Sequence, residues 1–164
     1  MRTAAPVPAT ADLMDTDSTA VSVHAPLRHY GGRTFLHGAV RTVLCHEDNA
    51  LVRSLAAEPG HGRVLVVDGG GSPRAALVGG EVARNAAANG WSGIVVNGAV
   101  RDVAELRLVD LCVLALTTSP RRAERAGRGE VDVPVAFGGA VIVPGTEIVG
   151  DEDGLVLRPG GGDR

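Results

Sequence analysis

Arg101 and Asp102, in the stretch GAVRD, set a planar guanidinium fork beside a hard carboxylate just after the apolar run GIVV. The fork can hold a carboxylate or phosphate through two parallel hydrogen bonds. A single carboxylate, completed by waters and a chelating ligand, is a common way to hold magnesium or manganese, and differs from the His/Cys sets that hold zinc. Gly79 and Gly80 stand before the helical pattern EVARNAAANG, so the first-turn N–H groups at Gly79, Gly80, Glu81 and Val82 form an anion cradle backed by the helix dipole. In a β-α-β unit the end of a strand and the start of a neighbouring helix share one sheet edge, which would bring cradle, arginine and aspartate together. The bland alternative is an ion pair between Arg101 and Asp102 at a strand end. GAVR also occurs at Gly38–Arg41, followed there by Thr42 instead of a carboxylate. The flanks of the two copies differ, so no duplication is implied.

Other motifs carry less chemistry. VVDGGGS, Val66 to Ser72, resembles a nucleotide-binding turn but lacks the third glycine of G-x-G-x-x-G, and Pro73 stands where the phosphate-binding helix would begin. It reads as a tight turn rather than a methyltransferase-like cofactor site. Histidines 24, 29, 37, 46 and 61 show no H-x-x-x-H or H-E-x-x-H spacing, and His46-Glu47-Asp48 suits a polar helix entry. Ser119 lacks a nucleophile elbow, and Arg121, Arg122, Arg125 and Arg128 alternate with acids as a solvated loop face. Asp151, Glu152 and Asp153 read as a solvated turn, or as acids offered to a neighbouring subunit's site.

Composition narrows the function classes. The 164 residues suit one domain, and 45% hydrophobic content can supply its core. A net charge of −3 offers no basic excess for phosphates or anionic lipid, and 2% aromatic residues provide no base-stacking platform, so neither direct nucleic-acid nor membrane binding is expected. All 16 basic residues are arginine, which excludes lysine Schiff-base chemistry. Cys45 and Cys112 lie in apolar surroundings, as buried thiols in a reducing cytosol do. No run approaches the ~18 apolar residues of a membrane span, and a cytoplasmic protein is expected.

The elements follow from periodicity and punctuation. Residues 1–9 read as a flexible leader, and Thr10 or Asp12 is placed to cap a short helix through about residue 15. RTFLHGAVRTVLC, RVLVVD, GIVVNG and LCVLAL read as strands; NALVRSLAAE and EVARNAAANG read as helices, the latter closed by a left-handed Gly90. A polar loop at 119–130 precedes a tail of short strands. Helices that stop alternating with strands argue against a plain doubly wound sheet and for a mixed α/β layer capped by a β-rich one.

RVLVVDGGGS, ALVGGEVARNAAANGWSGIVVNGAVRD, SPRR and FGGAVIVPGTEIVGDEDGLVL, with HYGGRTF and CHEDNALV before them, together resemble the RraA-like family. That family groups regulator of ribonuclease activity A with class II 4-hydroxy-4-methyl-2-oxoglutarate aldolases. The resemblance runs from Thr10 to Leu157, leaving 158–164 as a flexible tail. It implies a single-domain swivelling β/β/α-type sandwich assembled as a homotrimer with sites between subunits. It further implies a divalent-metal lyase that cleaves 4-hydroxy-2-oxo acids to pyruvate and decarboxylates oxaloacetate, or else a non-catalytic protein that binds and inhibits the endoribonuclease RNase E.

Carried over by resemblance, the substrate loop falls on Gly79, Gly80, Glu81 and Val82, the substrate arginine on Arg101, and the metal ligand, for magnesium or manganese, on Asp102. The aldolase pattern also has an acid followed by twenty intervening residues and then Arg-Asp, and here the place of that acid is Gly80. Glu81 is adjacent but turned by about 100° along a helix. Arg101, Asp102 and Glu81 are therefore the expected catalytic set, with proton transfer weakened by the glycine.

Overall fold

The runs VLVVD, GIVV and CVLAL are apolar at nearly every position because each lies in a sheet covered on both faces. The computed structural model describes residues 5–160. In chain order the strands are β1 (Val21–Ser22), β2 (Arg28–His29), β3 (Leu36–Leu44), β4 (Val64–Asp68), β5 (Ala76–Val78), β6 (Gly93–Val100) and β7 (Cys112–Thr118). They continue with β8 (Glu130–Val131), β9 (Val135–Phe137), β10 (Ala140–Ile142), β11 (Glu147–Gly150) and β12 (Leu155–Arg158). The helices are α1 (Thr10–Thr16), α2 (Ala50–Ala56), α3 (Gly80–Ala88) and α4 (Val103–Leu106).

Strands β3, β4, β6 and β7 are parallel neighbours, with α2, α3 and α4 in the connections between them. From β3 the sheet continues antiparallel through β11, β12 and β1, while β2 closes the other edge against β7. The short β5 lies beside β6, and β9 and β10 form a separate hairpin. The expectation of a single mixed α/β domain holds, and the long β3 explains the absence of helices from the tail. It serves both the parallel sheet and the antiparallel layer that follows.

Alternation along the central strands divides the interior in two. Leu65, Val67, Ile94, Val96, Val113 and Ala115 face the helices and meet Val52, Leu55, Val82 and Leu106. Val64, Val66, Val95 and Leu114 point the other way, onto Ile142, Ile148, Leu155 and Leu157.

Several local expectations are corrected. Neither Thr10 nor Asp12 caps α1: Thr10 is its first residue, and its N–H (2.8 Å) and hydroxyl (2.7 Å) both donate to the Asp151 carboxylate. Asp151 is thus a cap supplied from the far end of the chain. Arg158, assigned to the tail, is the last residue of β12 and pairs with Glu147 at 3.2 Å. Residues 1–4 and 161–164 of the expected leader and tail lie outside the described residues. Gly90, at φ +78°, does follow the end of α3 in the left-handed region.

Arg41 is scaffold. It bridges Asp132 (2.7 Å) and Glu58 (2.8 Å), and the buried Thr42 hydroxyl donates to the Val133 carbonyl. Cys45 and Cys112 are free and buried, and burial pushes both thiols up to about 12, so they stay protonated at neutral pH. Among the described residues no helix is long and apolar enough to cross a membrane.

Candidate functional site

Strands β5 and β6 end at the same edge. The Arg101 N–H donates to the Val78 carbonyl at 3.0 Å, which sets the residue after β6 beside the residues that lead into α3. Asp102 then turns the chain into α4 through a left-handed conformation, φ 60° and ψ 44°, that aspartate tolerates better than most residues. Its Oδ2 accepts a hydrogen bond from the Gly80 N–H at 3.0 Å. A Cβ at Gly79 would lie 2.7 Å from that oxygen and 3.3 Å from Arg101 Cγ. Glycine is required there by close approach, since its φ of −132° suits any residue.

Arg101 and Asp102 make no ion pair with each other, so the bland strand-end reading is not what the structure holds. Both line a cavity of about 240 Å³ with Gly79, Glu81 and Val82. The cradle is narrower than expected: the Gly80 N–H is engaged by Asp102 and that of Ala83 by the Gly79 carbonyl. The N–H groups of Glu81 and Val82 are left without an intrahelical acceptor. Glu81 pairs with Arg53 at 3.0 Å, and that guanidinium holds its carboxyl below the usual carboxylate range. A carboxylate so lowered is a weak base at neutral pH.

The same cavity gathers residues that sequence reasoning set aside or missed: Asn49, Arg53, Arg84, Glu105, Arg122 and Arg125. Glu105 stands where the side chain missing at Gly80 would begin. A Cβ on Gly80 would run into Glu105 Oε2 and approach Arg84 Nη1 to 2.9 Å, while Arg84 and Glu105 pair at 2.8 Å. The spacing Asp102, Glu105 spans one helical turn and could have signalled this acid. Asn49, only 6% exposed, donates from Nδ2 to the Leu77 carbonyl at 3.1 Å, and its Oδ1 has no partner among the described residues. An unsatisfied buried acceptor costs about 1–3 kcal/mol.

A divalent cation fits this chemistry with one protein ligand. Asp102 is exposed, one carboxylate oxygen is oriented by Gly80, and the other has no hydrogen-bond partner among the described residues. No group of three His, Cys, Asp or Glu side chains suited to a metal occurs among those residues. Magnesium commonly takes one or two carboxylates and leaves its other positions to water and substrate oxygens.

The competing motifs are closed on themselves. In the glycine turn, Asp68 Oδ1 accepts from the Gly70 N–H (3.0 Å) and Asn97 Nδ2 (2.9 Å), while Gly70 and Gly71 take positive φ. A larger cavity of about 340 Å³ holds His24 and His29 beside Asp151, but the Asp151 carboxylate is occupied by Thr10 and the Asp153 N–H. His29 Nε2 lies 2.7 Å from the Asp151 carbonyl.

The model of a family described as Aldolase/RraA matches residues 10–157. A protein of Thermus thermophilus named 4-hydroxy-4-methyl-2-oxoglutarate aldolase is 48% identical over 150 residues, 92% of either chain. A solved structure described as the RNA-processing inhibitor RraA, also from Thermus, superposes with a TM-score of 0.91 at 47% identity, covering 94% of both chains. Another, described as an S-adenosylmethionine: 2-dimethylmenaquinone methyltransferase from Geobacillus kaustophilus, gives 0.89 at 37% identity over 93% of this chain and 95% of that one.

Proposed function

We propose, from the premise that this chain belongs to the RraA-like family, that it is a lyase cleaving 4-hydroxy-2-oxo acids of the 4-hydroxy-4-methyl-2-oxoglutarate type to pyruvate, with oxaloacetate decarboxylation as a related activity. The observation that carries this is Asp102: an exposed carboxylate, fixed by a helix N–H, unpaired with the arginine beside it, on a cavity that also holds Arg101 and the start of α3. A surface ion pair would have none of these properties together.

In this mechanism Asp102 would hold a magnesium or manganese ion, which when bound would supply Lewis-acid polarisation of the 2-oxo group. The N–H groups of Glu81 and Val82 receive the substrate's first carboxylate. Arg101 reaches the 2-oxo oxygen, where negative charge develops as the carbon–carbon bond breaks, and stabilises that charge more than it stabilises the ground state. Proton transfer falls to the acids lining the cavity. Glu81 is held ionised by Arg53, and Gly80 offers no side chain, so this step limits the rate.

The homotrimer is proposed from the family resemblance alone; Leu108, 88% accessible beside an apolar hollow with Ala87 and Val109, is apolar surface that a subunit contact would cover. The described name of one Thermus relative supports a second reading, a protein that inhibits RNA processing by binding an endoribonuclease such as RNase E. That role needs neither Asp102 nor a metal. Pyruvate release from oxaloacetate and from 4-hydroxy-4-methyl-2-oxoglutarate separates the two. The lyase requires release that appears with magnesium and vanishes with EDTA; no release with either cation, together with capture of RNase E, would overturn it.

A further inference from the structure

We propose that Glu105 is the carboxylate that moves the proton in carbon–carbon cleavage, reaching the entrance of α3 from α4 through the space that glycine at position 80 leaves open. This assignment rests on the lyase reading above.

Gly80 opens α3 without a backbone need for glycine, since it is not among the residues of positive φ, and glycine in a helix is less stable than alanine. What a side chain at this position would meet is the Arg84-Glu105 pair: a Cβ would fall on Glu105 Oε2 and lie 2.9 Å from Arg84 Nη1. The same residue is tied to the site, because the Gly80 N–H donates to Asp102 Oδ2 at 3.0 Å. Two carboxylates thus meet at Gly80, and both line the cavity with Arg101. Glu105 is the third residue of α4, after Asp102 as its N-cap, and a glutamate there commonly turns back to the N-cap N–H. Among the described residues no such bond forms; the carboxylate crosses to α3 and accepts from Arg84 at 2.8 Å. Both partners are more than half exposed, so the pair adds little stability and opens readily to a ligand. Glu81, by contrast, is drawn to α2 by Arg53.

In the cleavage of a 4-hydroxy-2-oxo acid the Glu105 carboxylate takes the proton of the 4-hydroxyl. The C3–C4 bond then breaks. C4 becomes the carbonyl carbon of the released 2-oxo acid, and the electron pair passes to C3 as the enolate of pyruvate. Protonated Glu105 returns the proton to C3, which completes pyruvate and leaves the carboxylate as it began. Oxaloacetate makes a smaller demand: its C3–C4 bond breaks with direct loss of carbon dioxide from a carboxylate, so no proton has to leave first. Comparing the two substrates therefore separates proton abstraction from the rest of the site's chemistry.

The ratio of kcat/KM for 4-hydroxy-4-methyl-2-oxoglutarate to that for oxaloacetate, measured with magnesium, tests the assignment. Glu105→Gln keeps the size of an exposed side chain and should lower the ratio by at least about tenfold, less than a base free of an ion pair would supply. Arg84→Gln removes the pair but not the acid and should keep the ratio within about threefold. Gly80→Asp added to Glu105→Gln brings an acid back from α3 and should restore the ratio. Magnesium affinity of Glu105→Gln, read by calorimetry without substrate, should stay within about threefold of the natural protein, because an exposed charge that does not ligate the cation is largely screened. An unchanged ratio in Glu105→Gln, an equal fall in Arg84→Gln, a fall that Gly80→Asp does not repair, or an equally large loss of magnesium affinity would overturn the role of Glu105 alone. No pyruvate from the hydroxy acid in the natural protein would overturn it together with the lyase reading.

Discussion

Replacing Asp102 by asparagine is expected to lower magnesium-dependent pyruvate formation by at least about a thousandfold, roughly 4 kcal/mol of transition-state stabilisation. Asparagine tolerates the left-handed backbone that position 102 adopts and keeps an oxygen to accept from the Gly80 N–H. Only the charge and the metal affinity are removed. Stability should change by about 0.5–1.5 kcal/mol, the value of one hydrogen bond, which shifts the thermal midpoint of a chain this size by a few degrees. Asp102→Ala is a poorer probe, because it also removes the side-chain acceptor of the Gly80 N–H and strains the turn into α4, adding about 1–2 kcal/mol. Turnover unchanged in the asparagine variant, measured as pyruvate release at saturating magnesium, would remove Asp102 from the mechanism.

Restoring an acid at Gly80 is expected to act in the opposite direction. Gly80→Asp should raise pyruvate formation by about one to three orders of magnitude, at or below the range typical of a positioned proton-transfer group. The new Cβ meets the Glu105 carboxylate and Arg84 Nη1, both ends of flexible, exposed side chains that can move aside. Gly80→Ala makes the same steric demand without an acid and should bring no gain. Equal rates for the two variants would mean that an acid at this position does not limit the reaction. Glu81→Gln, measured alongside them, shows whether the existing acid contributes: loss of activity would mean that it works despite its Arg53 partner.

The parts of the fold that dominate its burial were legible in the sequence, because strands covered on both faces cannot avoid uninterrupted valine and leucine runs, and α3 ends where Gly90 allows a left-handed residue. The Arg101-Asp102 pair and the α3 entrance were legible for a similar reason, since strand end and helix start must meet at one edge. What could not be read was long-range side-chain pairing. Thr10 looked like a cap, but Asp151, at the far end of the chain, supplies the oxygen. Glu81 looked free, but Arg53 from α2 holds it. The arginine loop looked like a solvated face because no periodicity reveals that Asp48 accepts three of its backbone N–H groups. In each case the decisive partner lies more than twenty residues away, and local pattern carries no information about it.

The central claim is that Arg101 and Asp102 are one chemical site, where a cation and a chelating 2-oxo acid are held together. A crystal structure of the protein soaked with magnesium and oxalate, an unreactive mimic of the chelating carboxylate and 2-oxo oxygens, tests it most directly. The expected result is a cation bound to Asp102, with oxalate between it, the Arg101 guanidinium and the first-turn N–H groups of Glu81 and Val82. A cation and oxalate bound elsewhere, with Asp102 still engaged only by Gly80, would contradict it.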